Sequence, residues 1–102
     1  MNEDDLKRKC VAWMKKDPPA MFWFYCPTDH FYSGIPDVIF SAMGKFGAVE
    51  LKHPKGKKGP TPIQTWTHDQ IEASRGRVLR CCRSFEEFKA FVLSFYKQGE
   101  GK

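Results

Sequence analysis

Two carboxylates and an amine, Asp37, Glu50 and Lys52, fall at the same end of two short apolar segments, Asp37-Val38-Ile39-Phe40-Ser41-Ala42 and Phe46-Gly47-Ala48-Val49-Glu50-Leu51-Lys52. Both segments are rich in β-branched and aromatic residues, and Gly44 and Gly47 bracket a turn between them, so they read as a β-hairpin. With the turn centred on Met43-Gly44, Asp37 faces Glu50. With a slip of one residue to Gly44-Lys45, Asp37 faces Lys52. Cross-strand partners have Cβ atoms about 4.5–5.5 Å apart, so either register gathers the acids. Side chains alternate along a strand, which puts Glu50 and Lys52 on one face about 6.6 Å apart and sends Val49 and Leu51 to the other. Two carboxylates that close repel unless a cation lies between them, and hard oxygen donors favour Mg²⁺ or Mn²⁺ over zinc. An ion there can polarise a phosphodiester and lower the pKa of a water. Lys52 can stabilise the charge that develops on the phosphorus centre or orient the attacking water. Glu-x-Lys alone also fits a solvated pair on an exposed strand. Pro36-Asp37 one hairpin upstream makes the combination far more specific.

Ser33-Gly34-Ile35-Pro36-Asp37, Ala48-Val49-Glu50-Leu51-Lys52 and the later Gln64 resemble the signature of the virus-type replication-repair nucleases, a branch of the PD-(D/E)xK nuclease superfamily. Arg77 through Phe88 is similar to that family's closing strand and helix, so the resemblance covers most of the chain. It implies a compact α/β endonuclease that uses Mg²⁺ or Mn²⁺, with Asp37 and Glu50 as metal ligands and the backbone carbonyl of Leu51 as a further one. Lys52 takes the catalytic lysine role and Gln64 that of the family glutamine, although the connection between them is slightly longer than the usual pattern. The family's glutamate on the first helix is best matched by Glu3. Asn2-Glu3-Asp4-Asp5 reads more readily as an N-cap followed by acids that oppose the helix dipole. Thr61-Pro62-Ile63-Gln64 fits a capping box with Pro at the first helical position, a role that does not exclude Gln64 from a site.

At 102 residues, 41% hydrophobic and 15% aromatic, the chain suits a single domain spanning residues 1–102 with one core. The longest apolar run, Ala20 to Cys26, is far short of the roughly 20 residues that cross a bilayer. No basic-then-apolar signal pattern opens the chain, so a soluble, unsecreted protein is expected. Cys10, Cys26, Cys81 and Cys82 form no C-x-x-C pair, and His30, His53 and His68 share no ligand spacing with them. Buried free thiols are therefore expected in place of a disulfide or a zinc site.

Leu6, Cys10, Trp13 and Met14 recur at helical spacing between Asn2 and a stop at Asp17-Pro18-Pro19. Phe22 to Cys26 reads as a first strand ending at Pro27, and a loop from Pro27 to Ile35 leads into the hairpin. A second helix is predicted from Thr61-Pro62 to about Ser74 with Gly76 ending it, then a strand from Val78 to Arg83. Ser84-Phe85-Glu86-Glu87 is a second capping box, and Phe85, Phe88, Phe91, Val92 and Phe95 are the buried stripe of a closing helix rather than base-stacking platforms. The expected order is αβββαβα around a small mixed sheet, with frayed ends at the first residue or two and at Gln98 to Lys102.

The net charge of +5 has a pattern. Lys45, Lys52, Lys55, Lys57 and Lys58 crowd the hairpin and the loop leaving it, and Arg75, Arg77, Arg80 and Arg83 form a second basic group. Both suit nucleic-acid phosphates, with an ordinary solvated basic surface as the alternative. Gly56, Gly59 and Pro60 suggest a mobile loop whose lysines order on binding DNA. So small a nuclease has little surface with which to find a target, and a two-fold dimer would set two sites at a fixed separation on two strands. The resemblance implies the same: a homodimeric resolvase of branched DNA such as four-way junctions, of phage or prophage origin, working in a bacterial cytoplasm. A nonspecific or nicking nuclease, and a non-catalytic DNA-binding module of the same fold, are the other function classes.

Overall fold

The hairpin register is set by its turn. Met43 and Gly44 adopt φ of 53° and 78°, the doubly left-handed conformation that matches the twist of the flanking strands. β2 (Val38–Ala42) and β3 (Lys45–Leu51) therefore pair antiparallel from Ala42↔Lys45 to Val38↔Val49, which puts Asp37 at the next position, opposite Glu50. The turn is the one at Met43-Gly44, not Gly44-Lys45. In the computed structural model, residues 2–16, 21–26 and 34–96 are described. The expected stop at Asp17-Pro18-Pro19, residues 27–33 of the Pro27 to Ile35 loop with Ser33 and His30, and the expected frayed ends lie outside them.

The element order is α1 (Glu3–Lys16), β1 (Met21–Tyr25), β2, β3, α2 (Pro62–Ala73), β4 (Arg77–Cys82) and α3 (Phe85–Ser94), the αβββαβα arrangement of an α/β fold. The sheet is mixed, in the order β1-β2-β3-β4. β1 and β3 run antiparallel to β2, while β4 is parallel to β3, joined to it by the α2 crossover. One irregularity interrupts the parallel pair: Val49 faces Leu79 but Leu51 faces Cys82, so β4 spends one residue more than β3 over that interval. That extra residue resets the alternation and lets both Leu79 and Cys82 serve the core.

The core lies between one face of the sheet and the helices α1 and α3. Leu6, Cys10 and Met14 on α1, Phe40 and Val49 from the sheet, and Phe88, Val92 and Phe95 on α3 are buried together. Trp13 closes the edge with T-shaped contacts to Phe85 and Phe88, each at 6.0 Å, and Phe40 meets Phe95 at 4.8 Å. The α3 phenylalanines are core, as the stripe implies. Truncating Phe40, Phe88 or Phe95 to alanine costs about 3–5 kcal/mol, a large part of the roughly 5–15 kcal/mol that holds a domain folded. Helix α2 packs on the opposite face, where Glu50 and Arg80 meet its side chains.

The helix ends follow their sequence signals closely. Asn2 Oδ1 accepts from the Asp5 N–H at 2.9 Å while Asp5 Oδ2 accepts from the Asn2 N–H at 3.1 Å, a reciprocal cap on α1. Thr61 and Gln64 form the expected capping box on α2. At α3 only half the box forms: the Glu87 N–H donates to Ser84 Oγ, but the Glu87 carboxylate reaches the Arg83 N–H instead of that of Ser84. The end of α2 departs from expectation, because Arg75, with φ of 76°, takes the left-handed position and Gly76 follows it, donating to the Ile71 carbonyl.

Candidate active site

Glu50 is the pivot of the site. Because Val49 and Leu51 turn into the core, its side chain leaves β3 on the α2 side, where it is only 3% exposed. Burial pushes its carboxyl up to about 8, with the neighbouring Asp37 charge and a hydrogen bond shared with Asp37 acting the same way and Lys52 opposing them. Oε2 accepts from Gln64 Nε2 at 3.2 Å. Oε1 is buried without a hydrogen-bond partner, 3.6 Å from His68 Nε2.

Gln64 is brought to this point by the cap it makes. Its Oε1 accepts from the Thr61 N–H at 2.9 Å, closing the first turn of α2, and accepts from Lys52 Nζ at the same distance. One carboxamide thus joins Lys52 to Glu50 while capping a helix. Lys52 itself is anchored through its N–H to the Cys82 carbonyl at 2.8 Å, just past the end of β3.

Asp37 is held from both sides. Its Oδ2 accepts from the Leu51 N–H at 2.8 Å and its carbonyl accepts from the Cys26 N–H at 2.7 Å. The preceding Gly34 lies against α2, with φ of 88°, and a Cβ there would stand 2.8 Å from Ile63 Cγ1 and 3.0 Å from the Ile63 carbonyl. Glycine is required at that position both for its backbone conformation and for the close approach of the helix that carries Gln64.

Two side chains at the site were not legible as such in the sequence. His68 is fully buried one turn after Gln64 on the same face of α2, and burial, helped by the Arg80 charge, holds it below its ordinary pKa. The i, i+4 spacing from Gln64 is the signal that could have found it. Lys7, on α1, is the other: burial opposes its charge, but Asp37, Tyr25 and Glu3 outweigh that and raise its pKa. Glu3 Oε2 stands 3.4 Å from Lys7 Nζ, adds to the negative field at Glu50, and lines a cavity of about 360 Å³ together with Lys52. Glu3 therefore belongs to the neighbourhood of the site, while the capping of α1 falls to Asn2 and Asp5.

The donor set suits a hard divalent cation. Glu50 Oε1 lacks a partner, Asp37 and Glu50 crowd each other, and the Leu51 N–H donates to Asp37, which keeps that peptide beside the two carboxylates. Among the described residues no group of three His, Cys, Asp or Glu stands as a cage by itself, and the four cysteines are free thiols, of which Cys10 and Cys82 are fully buried. Burial pushes both of those up to about 12.

The basic residues divide by position. Lys55, Lys57 and Lys58 lie in the loop just beyond Lys52. Lys45 starts β3, about 16 Å along the strand from Glu50, and Arg75 and Arg77 stand at that same far end of the sheet. The Arg77 guanidinium lies over the rings of Phe91 and Phe95 at 5.1 and 4.5 Å, which commits it to α3 rather than to an approaching phosphate. Arg80 donates to Asp69 and Glu72. The second basic group is thus dispersed, and the basic residues adjacent to the site are Lys7, those of residues 52–58, and Arg83. No described helix is long and apolar enough to cross a membrane. Compared with protein-family models, with curated proteins and with solved structures, the chain finds no match in any of the three.

Proposed function

We propose that the protein is a metal-dependent DNA endonuclease of the PD-(D/E)xK kind, hydrolysing phosphodiester bonds. The observation that carries this reading is the buried Glu50 carboxylate, flanked by Asp37 and wired through Gln64 to Lys52, with one oxygen left without a partner. Asp37, Glu50 and the Leu51 carbonyl would hold Mg²⁺ or Mn²⁺. When bound, such an ion polarises the phosphodiester and makes a water a stronger acid. The chain's own groups do the rest. Gln64 fixes the Lys52 ammonium so that it meets charge developing on the phosphate without reorganising, the Leu51 N–H fixes Asp37, and burial excludes bulk water from Glu50. Action on branched DNA as a two-fold dimer, in the cytoplasm of a bacterial host and with a phage origin, is the finer part of the reading, and the resemblance to the virus-type replication-repair nucleases supports it.

The test is cleavage of labelled four-way junction, flap, nicked and linear duplex DNA with Mg²⁺, Mn²⁺ or EDTA. Wild type should cut with either metal, and Asp37→Ala and Lys52→Ala should each lose about 10²-fold or more. Paired symmetric cuts confined to the junction support the resolvase. Equal cutting of every substrate makes the enzyme a general nuclease, and tight binding without cutting under any condition overturns catalysis.

A further inference from the structure

The loop that leaves Lys52 is held by a side chain from the far end of β4. Arg83 Nη1 donates to the His53 carbonyl at 2.9 Å and Nη2 to the Lys58 carbonyl at 2.6 Å, so one guanidinium spans the loop from its start to its last lysine. Within the span, the Lys55 N–H donates to His53 Nδ1 at 3.0 Å and the Gly56 N–H to the His53 carbonyl at 3.0 Å. Gly56 packs directly on the clasp: a Cβ there would stand 3.2 Å from Arg83 Nη1 and 3.2 Å from His53 Cβ. The loop is therefore shaped by specific bonds and is not the free tether that its glycines suggest. It borders a half-open cavity of about 360 Å³ beside the site, lined by four basic residues, Lys52, Lys57, Lys58 and Arg83, against one acidic residue, Glu3.

We infer that this cavity is a preformed cradle for a backbone phosphate of nucleic acid, and that Arg83 is the positioning residue that builds it. The inference rests on the nuclease reading for its substrate and adds a subsite next to the scissile phosphate. Three features point to a phosphate. The cavity is rich in basic residues, it includes Lys52, and two of its lysines, Lys57 and Lys58, are exposed and free of acidic partners among the ion pairs of the described residues. An arginine suits the clasp because its planar fork offers a separate nitrogen to each carbonyl, whereas an ammonium would have to reach both from one nitrogen. With the loop already ordered, its lysines lose less freedom on engaging a strand.

The experiment uses a labelled duplex oligonucleotide in EDTA, with binding followed against salt for wild type, Arg83→Ala, Arg83→Lys and the Lys57→Ala/Lys58→Ala double variant, alongside digestion by a lysine-specific protease. The double variant removes only exposed side chains, so its fold is preserved. Its affinity should fall and its salt dependence should lose about one unit of slope per phosphate contact removed. Arg83→Ala and Arg83→Lys should both bind about tenfold more weakly and both be nicked faster at Lys55, Lys57 and Lys58. Arg83→Lys keeps the charge, so wild-type binding and protease resistance in that variant overturn the clasp. An unchanged salt slope in the double variant, or no duplex binding by wild type, overturns the cradle. Wild type that binds through these residues and never cuts with Mg²⁺ or Mn²⁺ instead removes the nuclease reading and leaves the cradle standing.

Discussion

Glu50 carries a conflict that only its surroundings resolve. An acid whose carboxyl is raised from 4.5 to about 8 keeps its proton in the folded state over a window in which the unfolded chain has lost it. Folding is favoured below that window, and stability declines as the pH climbs through it. Metal-free wild type should therefore melt at a lower temperature at pH 8 than at pH 5, and Glu50→Gln, permanently neutral and of the same shape, should lack that decline. Mg²⁺ or Mn²⁺ at pH 8 should raise the melting temperature of wild type and leave Glu50→Gln unmoved. A wild-type melting temperature that is flat across the window in EDTA would show that Glu50 is not so perturbed. At this scale the neighbourhood of Asp37, Glu50 and Lys52 was legible because residue type and hairpin spacing are local properties, whereas Gln64 was named through the family resemblance and its capping box. Lys7 and His68 were not read: a lysine on an amphipathic helix acquires meaning only when packing brings it to a carboxylate, and the spacing of His68 from Gln64 counts only once α2 is placed over Glu50.

Among the elements, the order αβββαβα could be read from alternation, capping residues and glycine, while the hairpin turn stayed open between Met43-Gly44 and Gly44-Lys45 until the left-handed Met43 settled it. What could not be read arises between elements. The extra residue in β4 has no local signature in Arg77-Val78-Leu79-Arg80-Cys81-Cys82, since it answers to the partner strand. The left-handed Arg75 could not be foreseen beside a glycine that suits the role better by its own chemistry. Gly76 instead lies where a Cβ would meet Ile71 Cγ2 at 2.8 Å and Phe46 Cδ2 at 3.0 Å. Gly34 tests how tightly one element positions another. Gly34→Ala forces both a left-handed alanine and a contact with Ile63, at a cost of about 1–3 kcal/mol, read as a lower urea midpoint with an unchanged slope. Because the displaced helix carries Gln64, the cleavage that the proposed nuclease reading calls for should fall further than the stability loss alone explains. An unchanged midpoint would mean that α2 yields at no cost.

For the molecule as a whole, α1, α3 and the inner sheet face share one core, and two buried thiols sit in it, Cys10 from α1 and Cys82 from β4. Both are raised to about 12 from an ordinary 9. In the unfolded chain they ionise first, so their contribution to stability is constant below pH 9 and is lost as the pH rises from there toward 12. Unfolding by urea at pH 8 and pH 10.5 should show that loss. Cys10→Ala should reduce its steepness, at the cost of a cavity felt equally at both values. In the folded protein at pH 8 neither thiol should react with a disulfide reagent, whereas both react in denaturant. Early modification of Cys10 or Cys82 would show that the α1 face opens readily. The overall charge was legible from composition, but its distribution was not: pairing with Asp69, Glu72 and the α3 rings takes Arg80 and Arg77 out of any binding surface, and nothing in a list of residues shows that.

The Gln64 side chain belongs to two structures at once, the first turn of α2 and the link from Lys52 to Glu50. Fraying of that turn and disassembly of the link are consequently a single event. A local opening far smaller than global unfolding releases Lys52 and Glu50 together. Amide exchange at Gln64, whose N–H is held by Thr61 Oγ1, becomes a clock for how often the site comes apart. The site should then loosen at a helix end at temperatures where the core still holds, seen as exchange at Gln64 that outpaces exchange in the sheet.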